Sequence, residues 1–163
     1  MAIQGPTYVV TAPGLTRIER PASVLFACTR NSIRSPMAEG LLKALHPRRI
    51  YTDSAGVHDG EVDGFAIAAM AEIGIDISRH RSKTFDQLQD TYFDLIVTLS
   101  PEAQHSAVEL TRTMACEIEL WNTFDPSIID GPREVRLGAY RQVRDQLRQR
   151  ILARFPPDPG PAP

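Results

Sequence analysis

The chain has 163 residues, with 42% hydrophobic and 23% charged side chains and a formal net charge of −2. Those values describe one soluble globular domain with room for a substantial core, and they give no reason to expect nucleic-acid binding or a polybasic membrane contact. Two cysteines argue against a disulfide scaffold and for a reducing compartment. No apolar run approaches the ~20 residues of a membrane span, and no signal-peptide core opens the chain, so the expected location is cytoplasmic.

Residues 1–22 precede the first core strand. Tyr8, Val9, Val10 and Thr11 can add an edge strand, but Pro6, Pro13 and Gly14 limit it to a few residues, and the extension is expected to be partly ordered. The run Val24, Leu25, Phe26, Ala27 reads as a short buried strand. A polar loop follows from Cys28 to Arg34. Ser35 then has the chemistry of a helix N-cap, with Pro36 at the first helical position and Glu39 in the first turn.

After that helix, His46 and Pro47 break the pattern. Residues 50–55 read as a second strand closed by Gly56. Residues 64–73 have helical spacing, with Phe65, Ile67, Met70 and Ile73 on one apolar face and Gly74 as the stop. Residues 82–88 predict a short helix, and 93–99 a central parallel strand. Residues 101–110 predict a helix beginning at an N-cap Ser100. Residues 115–121 predict a fourth strand, alternating at Cys116, Ile118 and Leu120. Residues 134–155 carry Val135, Tyr140, Val143, Leu147, Ile151 and Leu152 on one helical stripe, and the Pro-rich tail, 156–163, is expected to be disordered.

Strands alternating with helices make this an α/β fold. The expectation is a single domain over residues 23–155, with a four-stranded parallel sheet, helices on both faces and an anion-binding loop after the first core strand. In such sheets a ligand sits beyond the carboxyl ends of the strands. The Cys28 loop follows one strand end and Asp125 follows another, so both belong to one edge.

The loop explains the choice of residues. A helix N-terminus after a tight loop aims free N–H groups and a positive dipole end at one place, which suits an oxyanion. Cys28 lies at its mouth, where that field favours a thiolate. Arg34 can offer a bidentate fork to a tetrahedral oxyanion, and the Ser35 hydroxyl can donate to the thiolate. Together these describe attack on phosphorus or arsenic. Asn31 tolerates positive φ and can tie the loop to its surroundings. Asp125, stiffened by Pro126, can protonate a leaving oxygen. None of His46, His58, His80 and His105 has metal-ligand spacing, and no metal or organic cofactor is expected.

Cys28, five residues, then Arg34 and Ser35 after a strand resembles the phosphate-binding loop of low-molecular-weight protein tyrosine phosphatases, a scaffold shared with thioredoxin-coupled arsenate reductases. Asn31, Ala38 and Glu39 fit the same pattern. The likeness continues through Ser54-Ala55-Gly56, MAEIGIDISRHRSK at 70–83, DLIVTLS at 94–100 and Trp121 to Asp125-Pro126, covering roughly residues 23–154. The resemblance implies Cys28 as nucleophile, Asp125 as general acid and then base, and phosphate binding by Thr29, Arg30, Asn31, Ser32, Ile33, Arg34 and Ser35. It also implies that Ser54 supports the loop through Asn31. Expected partners are phosphorylated proteins or small phosphomonoesters and phosphate- or arsenate-type oxyanions.

Four departures bear on function. Arg30 stands where these loops usually carry Gly, so either the backbone is strained there or the side chain points outward. Ile33 stands where many relatives have a second Cys that shields the nucleophile. The stretch 98–107, TLSPEAQHSA, resembles the reductase segment with resolving cysteines, yet holds Ser100 and Ser106 and no Cys. Ser127 and Ile128 also replace the aromatics that usually follow Asp-Pro. The expected activity is therefore hydrolysis of phosphomonoesters, protein phosphotyrosine among them, through a phosphocysteine. The alternatives are arsenate reduction with an external thiol, or oxyanion or partner binding without catalysis.

Overall fold

The computed structural model describes residues 7–10, 18–89, 92–113 and 116–159. Five strands form one sheet in the order β1-β5-β4-β2-β3, with β1 (Thr7–Val10), β2 (Ser23–Cys28), β3 (Tyr51–Gly56), β4 (Leu95–Thr98) and β5 (Glu117–Trp121). The last four are mutually parallel, as expected. The extension adds β1 antiparallel to β5, pairing Thr7 with Trp121 and Val10 with Ile118; Thr11 lies outside the described residues.

Side-chain alternation along β2 builds both halves of the core. Val24, Phe26 and Cys28 point into a cluster with α1 (Arg34–Leu45), α2 (Gly64–Ala71) and α4 (Arg133–Arg154). Leu25 points the other way, into a cluster with Ile96, Ile118 and Ala107 of α3 (Pro101–Leu110). A strand covered on both faces must be apolar throughout, which is why β2 reads as an unbroken hydrophobic run. Among the described residues, no helix is long and apolar enough to cross a membrane.

Four elements differ from the sequence reading. The stretch 82–88 yields only a 3₁₀ turn, Phe85–Gln87, because Thr84 bridges Gly56 and Lys83 is tied to Asn31, holding the backbone extended where a helix would start. Helix α2 stops at Ala71, and the β4 ladder ends at Thr98 with Leu99 buried beyond it. In β5 the alternation fails, because Glu117 and Glu119 are buried too. The Arg154 guanidinium lies 2.9 Å from Glu119, and Glu117 accepts from the Ile18 N–H, so both carboxylates are engaged beneath the chain that leads into β2. In the tail, Asp158 ion-pairs with Arg20; residues 160–163 lie outside the described set.

β2 lies inside the sheet, between β4 and the edge strand β3, so the chain changes direction across its carboxyl end. That crevice is where the Cys28 loop emerges.

Candidate active site

Residues 28–35 turn from β2 into α1. Helix α1 begins at Arg34 with Ile33 as N-cap, and no side chain caps it. The expected N-cap, Ser35, is thus inside the first turn, Pro36 follows it, and Glu39 lies beyond the first turn. The helix starts early because the Ser35 hydroxyl is used elsewhere, 2.9 Å from Cys28 Sγ. The Asn31 amide donates to Ser35 Oγ at 2.8 Å, which leaves the Ser35 proton for sulfur. The Asn31 backbone N–H also points at Sγ, at 3.2 Å. Two donors converging on a buried sulfur suit a thiolate.

Four loop carbonyls are taken up from outside. Val57 and His58 donate N–H groups to Cys28 O and Thr29 O, Asp63 donates to Ser32 O, and the Ser82 hydroxyl donates to Asn31 O. A loop whose carbonyls face outward turns its N–H groups inward, around Cys28. Asn31 makes this curvature possible: it has φ 53° and is the one non-glycine with positive φ among the described residues. Arg30 does not share that conformation and its side chain is exposed, which settles the alternative raised by its replacing Gly. A Cβ on Gly56 would sit 2.7 Å from Arg30 C and Asn31 N, so β3 can pass under the loop only with glycine there.

Asn31 anchors a buried network. Its amide nitrogen donates to Ser54 at 2.9 Å, and Ser54 donates to Glu39, which also pairs with Lys43. Its Oδ1 accepts from Lys83 N–H at 3.0 Å and lies 2.9 Å from His80 Nε2, so Nε2 must carry a proton and neutral His80 has a bare Nδ1. That Nδ1 faces Glu39 at 3.9 Å. His80 and the buried Glu39 are site components the sequence reading did not assign. Glu39 had a visible signal, since it lies four residues after Ser35 and three before Leu42 on the inward face of α1.

Burial lowers the His80 pKa, outweighing the Glu39 charge that raises it. The folded protein therefore resists a proton that the unfolded chain accepts near its ordinary value of about 6.5. In that window the unfolded state binds more protons, so stability falls as pH drops below about 6.5, by up to ~1.4 kcal/mol per pH unit, until His80 protonates in the fold. Urea melts between pH 5 and 7.5 are expected to show this slope in wild type and a flatter profile in His80→Gln.

Arg34 is half-buried and its fork is held: Nη1 donates to Thr123 O at 2.9 Å, and Nη2 lies 3.4 Å from Thr29 Oγ1. Thr123 is two residues before Asp125, so this bond joins the Cys28 loop to the loop after β5. Asp125 caps a 3₁₀ turn, Pro126–Ile128, accepting from the Ser127 N–H and hydroxyl. Tyr140 of α4 is pushed up to about 12 by burial first and then by the nearby charge of Asp63, with Asp125 adding to it. Cys116, the second cysteine, is buried in the approach to β5, and burial pushes it up to about 12. Among the described residues, no group of His, Cys, Asp and Glu is arranged to hold a metal ion.

An α/β sheet carrying a cysteine-centred loop of inward-turned N–H groups at its switch point defines the class of protein. The Low molecular weight phosphotyrosine protein phosphatase family matches residues 23–154, and the chain belongs to that family. It is 38% identical over 129 residues to an arsenate reductase of Halalkalibacterium halodurans, covering 78% of this chain and 91% of that one. Among solved structures it is similar to an arsenate reductase in the oxidized state, at TM-score 0.69 and 31% identity, covering 82% of this chain and 95% of the other. It is also similar to a low molecular weight protein tyrosine phosphatase from T. tengcongensis, at TM-score 0.61 and 29% identity, covering 79% and 94%.

Proposed function

We propose that the chain is a cysteine-dependent phosphomonoesterase. Cys28 Sγ attacks phosphorus as the ester P–O bond breaks. Arg34 and the N–H groups of residues 29–34 hold the phosphoryl oxygens, and Asp125 gives its proton to the leaving oxygen. Asp125, now a carboxylate, takes a proton from water as that water attacks phosphorus and the S–P bond breaks. The observation that carries this reading is the Arg34 bond to Thr123 O, because it couples the nucleophile loop to the strand end bearing the acid. Ile128, an exposed aliphatic side chain beside Asp125, suits small phosphomonoesters as well as phosphotyrosine. A reduced Cys28 requires a reducing compartment, and the cytoplasm supplies one.

The arsenate reductase relatives favour a second reading, in which Cys28 attacks arsenate and displaces an oxygen as water. An external thiolate, such as glutathione or mycothiol, then attacks Cys28 Sγ. The S–As electron pair passes to arsenic, arsenite leaves, and a second thiol reduces the mixed disulfide. Buried Cys116, with its raised pKa, is a poor source of the resolving thiolate, so the thiol must come from outside.

Parallel assays separate the two: para-nitrophenyl phosphate hydrolysis, and arsenite formation with glutathione, each for wild type and Asp125→Asn. Hydrolysis with kcat lowered about 100-fold in Asp125→Asn is the expected result. Thiol-dependent arsenite formation without hydrolysis would transfer the assignment to the reductase reading.

A further inference from the structure

We propose that Ser100 and the side chain of Thr29 act together as positioning residues for Arg34. The proposal rests on Arg34 as the cation that meets the oxyanion. Thr29 follows Cys28 directly, and its hydroxyl donates to Ser100 Oγ at 3.2 Å. Ser100 is buried and caps α3, accepting the Ala103 N–H at 3.2 Å, so this acceptor is fixed by a helix end. With the Thr29 proton committed there, its lone pairs are left for Arg34 Nη2, and the β-branched side chain has little rotamer freedom to turn away.

The other half of the guanidinium is held from the same corner. Thr123, whose carbonyl takes Arg34 Nη1, donates its own N–H to Leu99 O at 3.0 Å, and its hydroxyl bonds Trp121 O at 2.7 Å. Both holds on Arg34 therefore lead to residues 99 and 100, where β4 passes into α3. Two fixed acceptors on two nitrogens of a planar group set its plane, and the remaining N–H groups are left for a ligand. The stretch that resembles a thiol-bearing reductase segment here contributes a hydroxyl that orients a cation.

The test compares wild type, Thr29→Val, Thr29→Ser, Ser100→Ala and the Thr29→Val/Ser100→Ala double variant. It reads kcat/KM for para-nitrophenyl phosphate, the calorimetric Kd of inorganic phosphate, and Tm. Thr29→Val is expected to lower kcat/KM and weaken phosphate binding about 10-fold at unchanged Tm, as for loss of a hydrogen bond to a charged group. Thr29→Ser keeps the hydroxyl and is expected to stay within about 2-fold of wild type, and the double variant to be no worse in kcat/KM than Thr29→Val. Ser100→Ala also loses a helix cap, so its Tm falls, whereas Thr29→Val isolates the positioning effect. Unchanged kcat/KM and phosphate Kd in Thr29→Val would overturn the proposal, as would single effects that multiply in the double variant. If wild type hydrolyses nothing, the phosphatase reading fails by itself. Phosphate Kd then decides: weakening in Thr29→Val supports positioning, and no change refutes it.

Discussion

Cys28→Ser is expected to fold, bind phosphate and hydrolyse para-nitrophenyl phosphate at least ~10⁴-fold more slowly than wild type. The loop exists independently of the sulfur. Its carbonyls are held by Val57, His58, Asp63 and Ser82, and its curvature is set by Asn31, none of which the substitution touches. What disappears is the sulfur on which the Asn31 N–H and Ser35 hydroxyl converge. A serine hydroxyl there has no adjacent base to take its proton, since its neighbours are donors and amides. Steady-state kinetics with calorimetric titration of phosphate check both halves. Retained turnover would remove Cys28 from the reaction.

Asn31→Ala is expected to cost about 3–5 kcal/mol of stability, lowering Tm by roughly 10 °C, and to reduce turnover by about 100-fold or more. Alanine at φ 53° pays about 1–2 kcal/mol of steric strain that asparagine tolerates better. The substitution also deletes four side-chain hydrogen bonds, to Ser35, Ser54, His80 and Lys83. It leaves the His80 Nε2–H and the Lys83 N–H without that acceptor, and such losses dominate the cost of removing a buried amide. Asn31→Gly separates the terms, because it relieves the strain while the four side-chain hydrogen bonds stay lost. Its turnover is expected to remain near that of Asn31→Ala. Thermal melts and kcat for both variants test this, and near-native activity in Asn31→Gly would show that backbone conformation alone matters.

The parallel core and the emergence of the loop were legible in the sequence because they depend on local patterns: an apolar run for β2, Ser100 before Pro101 for α3, and a long stripe for α4. The helix start was misplaced by a local rule. Ser35 has cap chemistry, but the Cys28 sulfur and an amide compete for its hydroxyl, and only the fold brings those groups together. His80 stands 49 residues from Asn31, and no periodicity relates such distant positions. Glu117 and Glu119 alternate with apolar residues as a solvent-facing row would. Their burial is set by Arg154 and by the segment at Ile18, from opposite ends of the chain. Asp125 was legible as an Asp-Pro after the last strand, whereas its coupling to Arg34 runs through a backbone carbonyl that any residue at 123 could supply.

Rapid-quench mass spectrometry of Asp125→Asn mixed with para-nitrophenyl phosphate tests whether a covalent phosphoryl adduct forms on Cys28. Nitrophenolate leaves without needing a proton, so this variant is slowed chiefly in the second step and the intermediate accumulates. The phosphocysteine mechanism predicts a burst of nitrophenolate equal to the enzyme present, with one added phosphoryl group on the Cys28 peptide and none in Cys28→Ser. Linear release with no burst and no adduct, or an adduct on another residue, would contradict it.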